Sequence, residues 1–515
     1  MGKELSKNLG VLLFGFISFF IVGLAQAEIK LIEDTTYCLS LTPYLRTDVV
    51  SLKNTVDLDS HNRDDSTTYF GYDYSLGWDL KLKDNGPEAY LKLERNGPYD
   101  YDAPLFVHNT LQTSVARVDN YDDKYLLPQI EEFWLDIPLQ KLPLRLKSGL
   151  FAYQVGHGFS LNGAYENYGI NLYSWNEDSK SKWNVYYCYP DLASKNHLGP
   201  RIKQEQLQGI DYEHSKAHFF ATDVSFSLGE ESVVQPYLGV LFDRTNDKRL
   251  SSCFSTPTHK DTLGTFGLSS DLTLGKLSLG IEGAKNFGEA KSSDFVFKDV
   301  KHTGYLIYAS AAYDFARLKP HSRFILASGN KVTTEMVDNG DGFLTSGKNR
   351  AFSVYSPFNA NIADAVSHNV ETLPMVAMGG GWGLNYGINR PTTFSDGGLF
   401  DNLILQGLGF DYQLTDKLSF TIDGWYLRAM ERGVGTFAGA SKKLSADLGR
   451  EVDLFCSYTL NDKVSLNFSA GYFFPGKYYK EERDDTTGSL FTPFIRGDGN
   501  ANGAYQIELN MEVKF

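Results

Sequence analysis

Cysteine is scarce. The 515 residues hold four, Cys38, Cys188, Cys253 and Cys456, and no two are spaced as a CxxC pair. That excludes a structural zinc ribbon. One disulfide after export stays open, and the spacing does not assign it. Positive charge is also short: 49 Lys and Arg stand against 63 Asp and Glu, a net charge of −14. There is no basic footprint for nucleic acid, which is excluded as a partner. Past Ala27 no uninterrupted apolar run reaches the roughly 20 residues of a membrane helix. Mean hydropathy is −0.29, too polar for a helical membrane bundle. A barrel is not excluded, because its strands are apolar on one face only. Catalytic patterns are missing too. The ten histidines form no HExxH helix, and Gly156-His157-Gly158-Phe159-Ser160 lacks the GxSxG arrangement. His157 therefore reads as a loop residue, and the chain is not expected to be an enzyme.

What is abundant is aromatic residues and glycine: 31 Tyr, 35 Phe and 48 Gly. This excess suits strands that carry aromatic girdles at membrane interfaces. The amino terminus reads as an export signal over residues 1–27. Lys3 and Lys7 supply the charge, Val11 to Leu24 the apolar stretch, and Ala25-Gln26-Ala27 the small-residue cleavage site. The carboxyl end alternates strictly. Tyr505, Ile507, Leu509, Met511, Val513 and Phe515 share one face, and Gln506, Glu508, Asn510, Glu512 and Lys514 the other. A period of two is a strand with two environments. It ends on Phe515, the expected signal to barrel-assembly machinery.

The same alternation recurs along the chain. In 418–426, Leu418, Phe420, Ile422 and Tyr426 oppose Ser419, Thr421, Asp423 and Trp425. Strands are predicted near 37–50, 66–82, 87–95, 129–138, 143–153, 167–174, 182–189, 207–228, 232–243, 264–273, 276–287, 303–314, 319–329, 402–414, 417–428, 449–460, 463–474 and 503–515. Tight turns such as Asp84-Asn85-Gly86, Thr415-Asp416 and Asn461-Asp462 alternate with long polar segments. Short periplasmic turns and long extracellular loops are the rule of outer-membrane barrels. The expectation is all-β: a transmembrane antiparallel barrel of about 18 strands, one domain over 28–515, with a long loop at 330–401. Outer-membrane lipid is its expected surroundings.

Strand parity turns Arg46, Lys81, Lys92, Arg145, Lys147, Asp423, Glu451, Asp453, Glu508 and Glu512 into the lumen as candidate pore-lining residues. Charge rings set the preference of a pore, though such charges can also neutralise one another across strands. The inward set leans acidic, which predicts a modest cation preference. Trp134 and Trp425 are candidates for stacking on sugar rings, with packing as the alternative. The 330–401 segment is either a plug or a surface loop of Gly, Asn and Asp turns. Within it, Asp338 and Asp341 form an oxygen-rich turn that is a weak Ca²⁺ candidate. No other cofactor is expected.

Two stretches resemble the alginate-export family of outer-membrane barrels. One is Leu448-Gly449-Arg450-Glu451-Val452-Asp453-Leu454 followed by Leu466 to Gly471 and Tyr472-Phe473-Phe474-Pro475-Gly476. The other is Glu132-Phe133-Trp134-Leu135-Asp136 followed by Leu144 to Gly149. The resemblance implies an eighteen-strand monomeric barrel that lets an acidic polysaccharide out of the cell. The residues alone also accommodate a diffusion porin for small hydrophilic solutes, or a plugged structural barrel.

Overall fold

The computed structural model describes residues 29–53, 67–98, 129–139, 142–159, 161–163, 168–174, 180–189, 217–229, 231–244, 258–292, 299–331, 334, 348–350, 352, 373–378, 402–438, 440–482 and 501–514. The export signal, Phe515, Cys253 and the Asp338–Asp341 turn lie outside them. Eighteen of the described strands close into one antiparallel barrel. They are β1 (Tyr37–Lys53), β2 (Thr67–Leu82), β3 (Glu88–Pro98), β4 (Gln129–Leu139), β5 (Leu144–Leu150) and β6 (Tyr168–Ser174). Then come β7 (Ser181–Cys188), β8 (Ala217–Ser227), β9 (Val233–Asp243), β10 (Thr258–Leu274), β11 (Leu277–Ser292) and β12 (Tyr305–Tyr313). Last are β13 (Leu318–Ala327), β14 (Leu403–Thr415), β15 (Leu418–Ala429), β16 (Asp447–Asn461), β17 (Val464–Pro475) and β18 (Ala504–Lys514). Each pairs with the next in sequence. The ring shuts where β18 meets β1, from Tyr44 opposite Lys514 to Lys53 opposite Tyr505. A closed ring leaves no unpaired edge among these strands, which a bilayer would not tolerate. A short strand, Ile29–Glu33, adds to β1 beside the foot of β18.

Eighteen strands is the expected number. Within the predicted 207–228 strand, the described residues form a single strand, Ala217–Ser227. β5 stops at Leu150, three residues early and one past Gly149, whose φ is 136°. The polar stretch after β15 contains a hairpin, Val434–Phe437 with Ala440–Lys443.

Face by face, the alternation separates as a membrane barrel requires. On β18, Ile507 is 41% and Leu509 52% exposed, while Glu508 between them is fully buried. On β15, Ile422 points out and Thr421, Asp423 and Trp425 point in. The glycine and aromatic excess has a packing reason. Gly264 lies opposite Phe287 and Gly407 opposite Trp425, with each ring lying over the bare glycine. A Cβ on Gly407 would sit 2.3 Å from the Trp425 ring. Aromatic cover of this kind fills the gap a glycine leaves in a sheet and helps hold register.

Candidate functional site: the charged lumen and its inward segments

The inward faces form four groups of polar side chains. On β1 and β18, Arg46 reaches Asp48 at 2.7 Å and Glu508 at 3.4 Å. Next to them Asn467 donates to Asn510 at 2.9 Å and Ser465 to Glu512 at 3.4 Å. On β4 and β5, Arg145 binds Asp136 at 2.8 Å and the carbonyl of Gly86 at 3.1 Å. Tyr173 donates to the other oxygen of Asp136. Lys81 pairs with Glu88 and Lys92 with Glu94. On β13–β15, His321 offers one ring nitrogen to Asp423 at 2.7 Å and the other to Asp411 at 3.5 Å. Arg323 adds a longer contact to Asp423 at 3.4 Å. An imidazole with a carboxylate at each nitrogen is a donor at both, that is, a cation.

The fourth group is built on a segment that the strand pattern read as strand to 153 and as loop beyond it. After β5 the chain turns into the barrel, and Phe151, Tyr153, Val155 and Phe159 are buried. Tyr153 stacks on Tyr186 at 4.2 Å and donates to Asp223 at 2.8 Å. Asp223 also accepts from Asn184 and Gln235. Gly156, at a φ of 57°, makes the tight turn that brings the next amide to the wall. Its own N–H donates to Gln235 at 3.0 Å. His157 then donates its main-chain N–H to Glu282 at 2.7 Å. Its Nδ1 lies 3.1 Å from Glu282 and its Nε2 3.1 Å from Asp271. Burial disfavours the imidazolium, but the hydrogen bonds to Asp271 and Glu282 outweigh it and hold the group up at about 9. His157 is thus a structural cation, in keeping with the absence of a catalytic pattern around it. The signal in the sequence was the aromatic run at 151 and 153, which breaks the polar–apolar alternation just before Gly156.

A second segment also enters. Residues 373–378 lie within 330–401 and include a single helical turn, Met375–Met378, against β16–β18. The main-chain N–H of Met375 donates to Asp453 at 3.1 Å and that of Val376 to Glu451. This part of 330–401 is therefore inside the barrel, as a plug would be. Near the start of the same loop Phe352 is fully buried, its N–H bound to the carbonyl of Ser328 at 2.8 Å.

The ten candidate charges thus divide. Arg46, Lys81, Lys92, Arg145, Asp423 and Glu508 are held in ion pairs across or along the wall. Glu451 and Asp453 anchor an inserted segment, and Glu512 accepts from Ser465. Lys147 lies 3.6 Å over the Trp134 ring. Tyr90 stacks on the same ring at 5.4 Å. Both neighbours engage the half-buried Trp134, and Trp425 is buried over Gly407. Among the described residues, no group of three or more His, Cys, Asp or Glu is placed to hold a metal ion. Cys38 and Cys456 are free thiols.

The barrel is similar in fold to OccAB3 of Acinetobacter baumannii, with a TM-score of 0.50 at 8% identity over 93% of this chain and 99% of that one. It is also similar to OccK8 (OprE) of Pseudomonas aeruginosa, with a TM-score of 0.47 at 9% identity over 93% and 98%. A third likeness is OccK2 (OpdF) of the same organism, solved in complex with glucuronate, with a TM-score of 0.47 at 9% identity over 93% and 98%. No family model matches the chain, and no curated protein does. An even-numbered closed antiparallel barrel, apolar outside and with its charged groups inside, is an outer-membrane fold of Gram-negative bacteria, and that is where this chain belongs. Of what the alginate-export resemblance implies, the eighteen-strand barrel is present.

Proposed function

We propose that the protein is a passive outer-membrane channel for small hydrophilic solutes, narrowed by two inward segments and favouring cations. One observation carries the reading. The inner face of the closed wall carries charged groups beside an apolar cluster, and among the described residues nine carboxyl side chains are buried there, more than the five cations Arg46, Arg145, His157, His321 and Arg323 set against them. A polar lumen in a ring this wide supports a water path, and the surplus of one charge sign sets which ions are enriched in it. The same surplus disfavours the exopolysaccharide reading, because a polyanion needs cationic partners along its route. The narrowing at 151–159 and 373–378 also suits solutes better than a polymer. The test is a planar-bilayer recording with a salt gradient. Discrete steps with a reversal potential on the cation side support the proposal. Clear anion preference overturns the charge argument, and absence of steps favours a plugged structural barrel.

A further inference from the structure

We propose that His157 is the positioning residue of the channel: as an imidazolium bridging Asp271 and Glu282, it pins the Phe151–Phe159 arm across the lumen, and losing its proton widens the path. The inference deepens the channel reading and rests on it.

The arm follows β5 as a hairpin, Tyr153–Val155 with Leu161–Gly163, and Phe151, Tyr153, Val155 and Phe159 are buried along it. Its apolar side chains pack on both sides of the tip, Tyr153 on Tyr186 and Phe159 on Tyr308 at 4.8 Å. Its tip is held by polar contacts, and His157 makes three of the four: its amide and Nδ1 to Glu282, and its Nε2 to Asp271. The fourth is the Gly156 amide on Gln235. Both ring nitrogens face carboxylate oxygens, so only the doubly protonated ring satisfies both. The groups that face it come from three walls. They are Asp271 on β10, Glu282 on β11 with Tyr237 donating to its other oxygen at 2.7 Å, and Tyr308 on β12, 4.6 Å away ring to ring. Arg323 on β13 lies beyond Tyr308 and adds a cation near that ring. Once His157 is neutral, one carboxylate loses its donor, and buried Glu282 loses its ion pair.

The direction follows from linkage. Docking raises the imidazole above its free value of 6.5 to about 9. Its stabilisation of the docked arm is whole below about 6.5 and is lost as pH rises through about 9. Each unit is a factor of ten. Asp271 is largely exposed, which screens its share. The docked-to-undocked ratio should fall on the order of a hundredfold across that window.

Single-channel conductance of the full chain, recorded from pH 7 to 10, tests this, with heat-modifiable gel mobility confirming folded barrels. Wild type should step to larger conductance as pH approaches 9. His157→Gln should show the larger conductance already at pH 7. His157→Arg, which keeps its charge, should stay small throughout. Should His157→Gln not fold, Asp271→Asn should move the wild-type step to lower pH. A flat wild-type profile, or Gln and Arg variants that behave alike, would overturn the proposal. No current from any variant would instead sink the channel reading. In that case an NMR titration of the His157 ring in detergent still decides the pin, a value near 6.5 refuting it.

Discussion

Arg145 was read from the sequence as a lining charge, and its surroundings make it a structural one. Its side chain is 10% exposed and that of Asp136 is 7% exposed, with 2.8 Å between them. It also donates to the carbonyl of Gly86, so one guanidinium ties β4 and β5 to the turn between β2 and β3. Replacing it with methionine keeps the volume and leaves the Asp136 carboxylate its bond from the Tyr173 hydroxyl but no cation. An uncompensated buried charge costs about 3–5 kcal/mol. With a urea slope of about 3 kcal/mol per molar, the unfolding midpoint should fall by roughly 1–2 M. Tryptophan fluorescence of the detergent-solubilised barrel in urea measures it. The double change Arg145→Met with Asp136→Asn removes the stranded charge and should recover more than half of the loss. The reversal potential should hardly move in either variant. A loss under about 1 kcal/mol, or a double variant no more stable than the single one, would refute the account of Arg145 as a buried clamp.

Other outcomes follow from the same geometry. Removing Glu451 and Asp453 together by alanine takes away both acceptors of the Met375 and Val376 amides. Charge-assisted bonds of this sort contribute about 1.5–3 kcal/mol each, so the inserted segment should loosen and single-channel conductance should rise; an unchanged conductance argues that 373–378 does not narrow the path. Leu509→Lys puts a charge mid-strand on the lipid face and should cost about 2–4 kcal/mol, seen as a lower folding yield into liposomes. Gly407→Ala should push the Trp425 ring aside and cost about 1–3 kcal/mol, read from the tryptophan emission and the thermal midpoint; an unshifted emission would show that the ring does not depend on the bare glycine.

The period-two pattern was enough to set the barrel, because lipid and water impose opposite demands on alternate residues and leave that mark in every strand. Counting strands, placing the short turns, and turning Asp423 or Glu508 inward needed nothing beyond that rule. The pattern is silent about partners, however, because a parity argument knows only which way a side chain points. That Arg46 meets Glu508, 462 positions away, or that His157 meets Asp271 and Glu282 on two other strands, depends on closure of the ring and on its register. The inward course of 151–159 is held by contacts with distant strands, Tyr153 on Tyr186 and His157 on Glu282, that begin just past Gly149 and its positive φ. Local sequence marks a glycine there but not the direction in which the chain leaves the wall. The inner charges had the same limit: their sign was readable residue by residue, while their pairing, and so which of them can act on a passing ion, exists only once eighteen strands stand side by side.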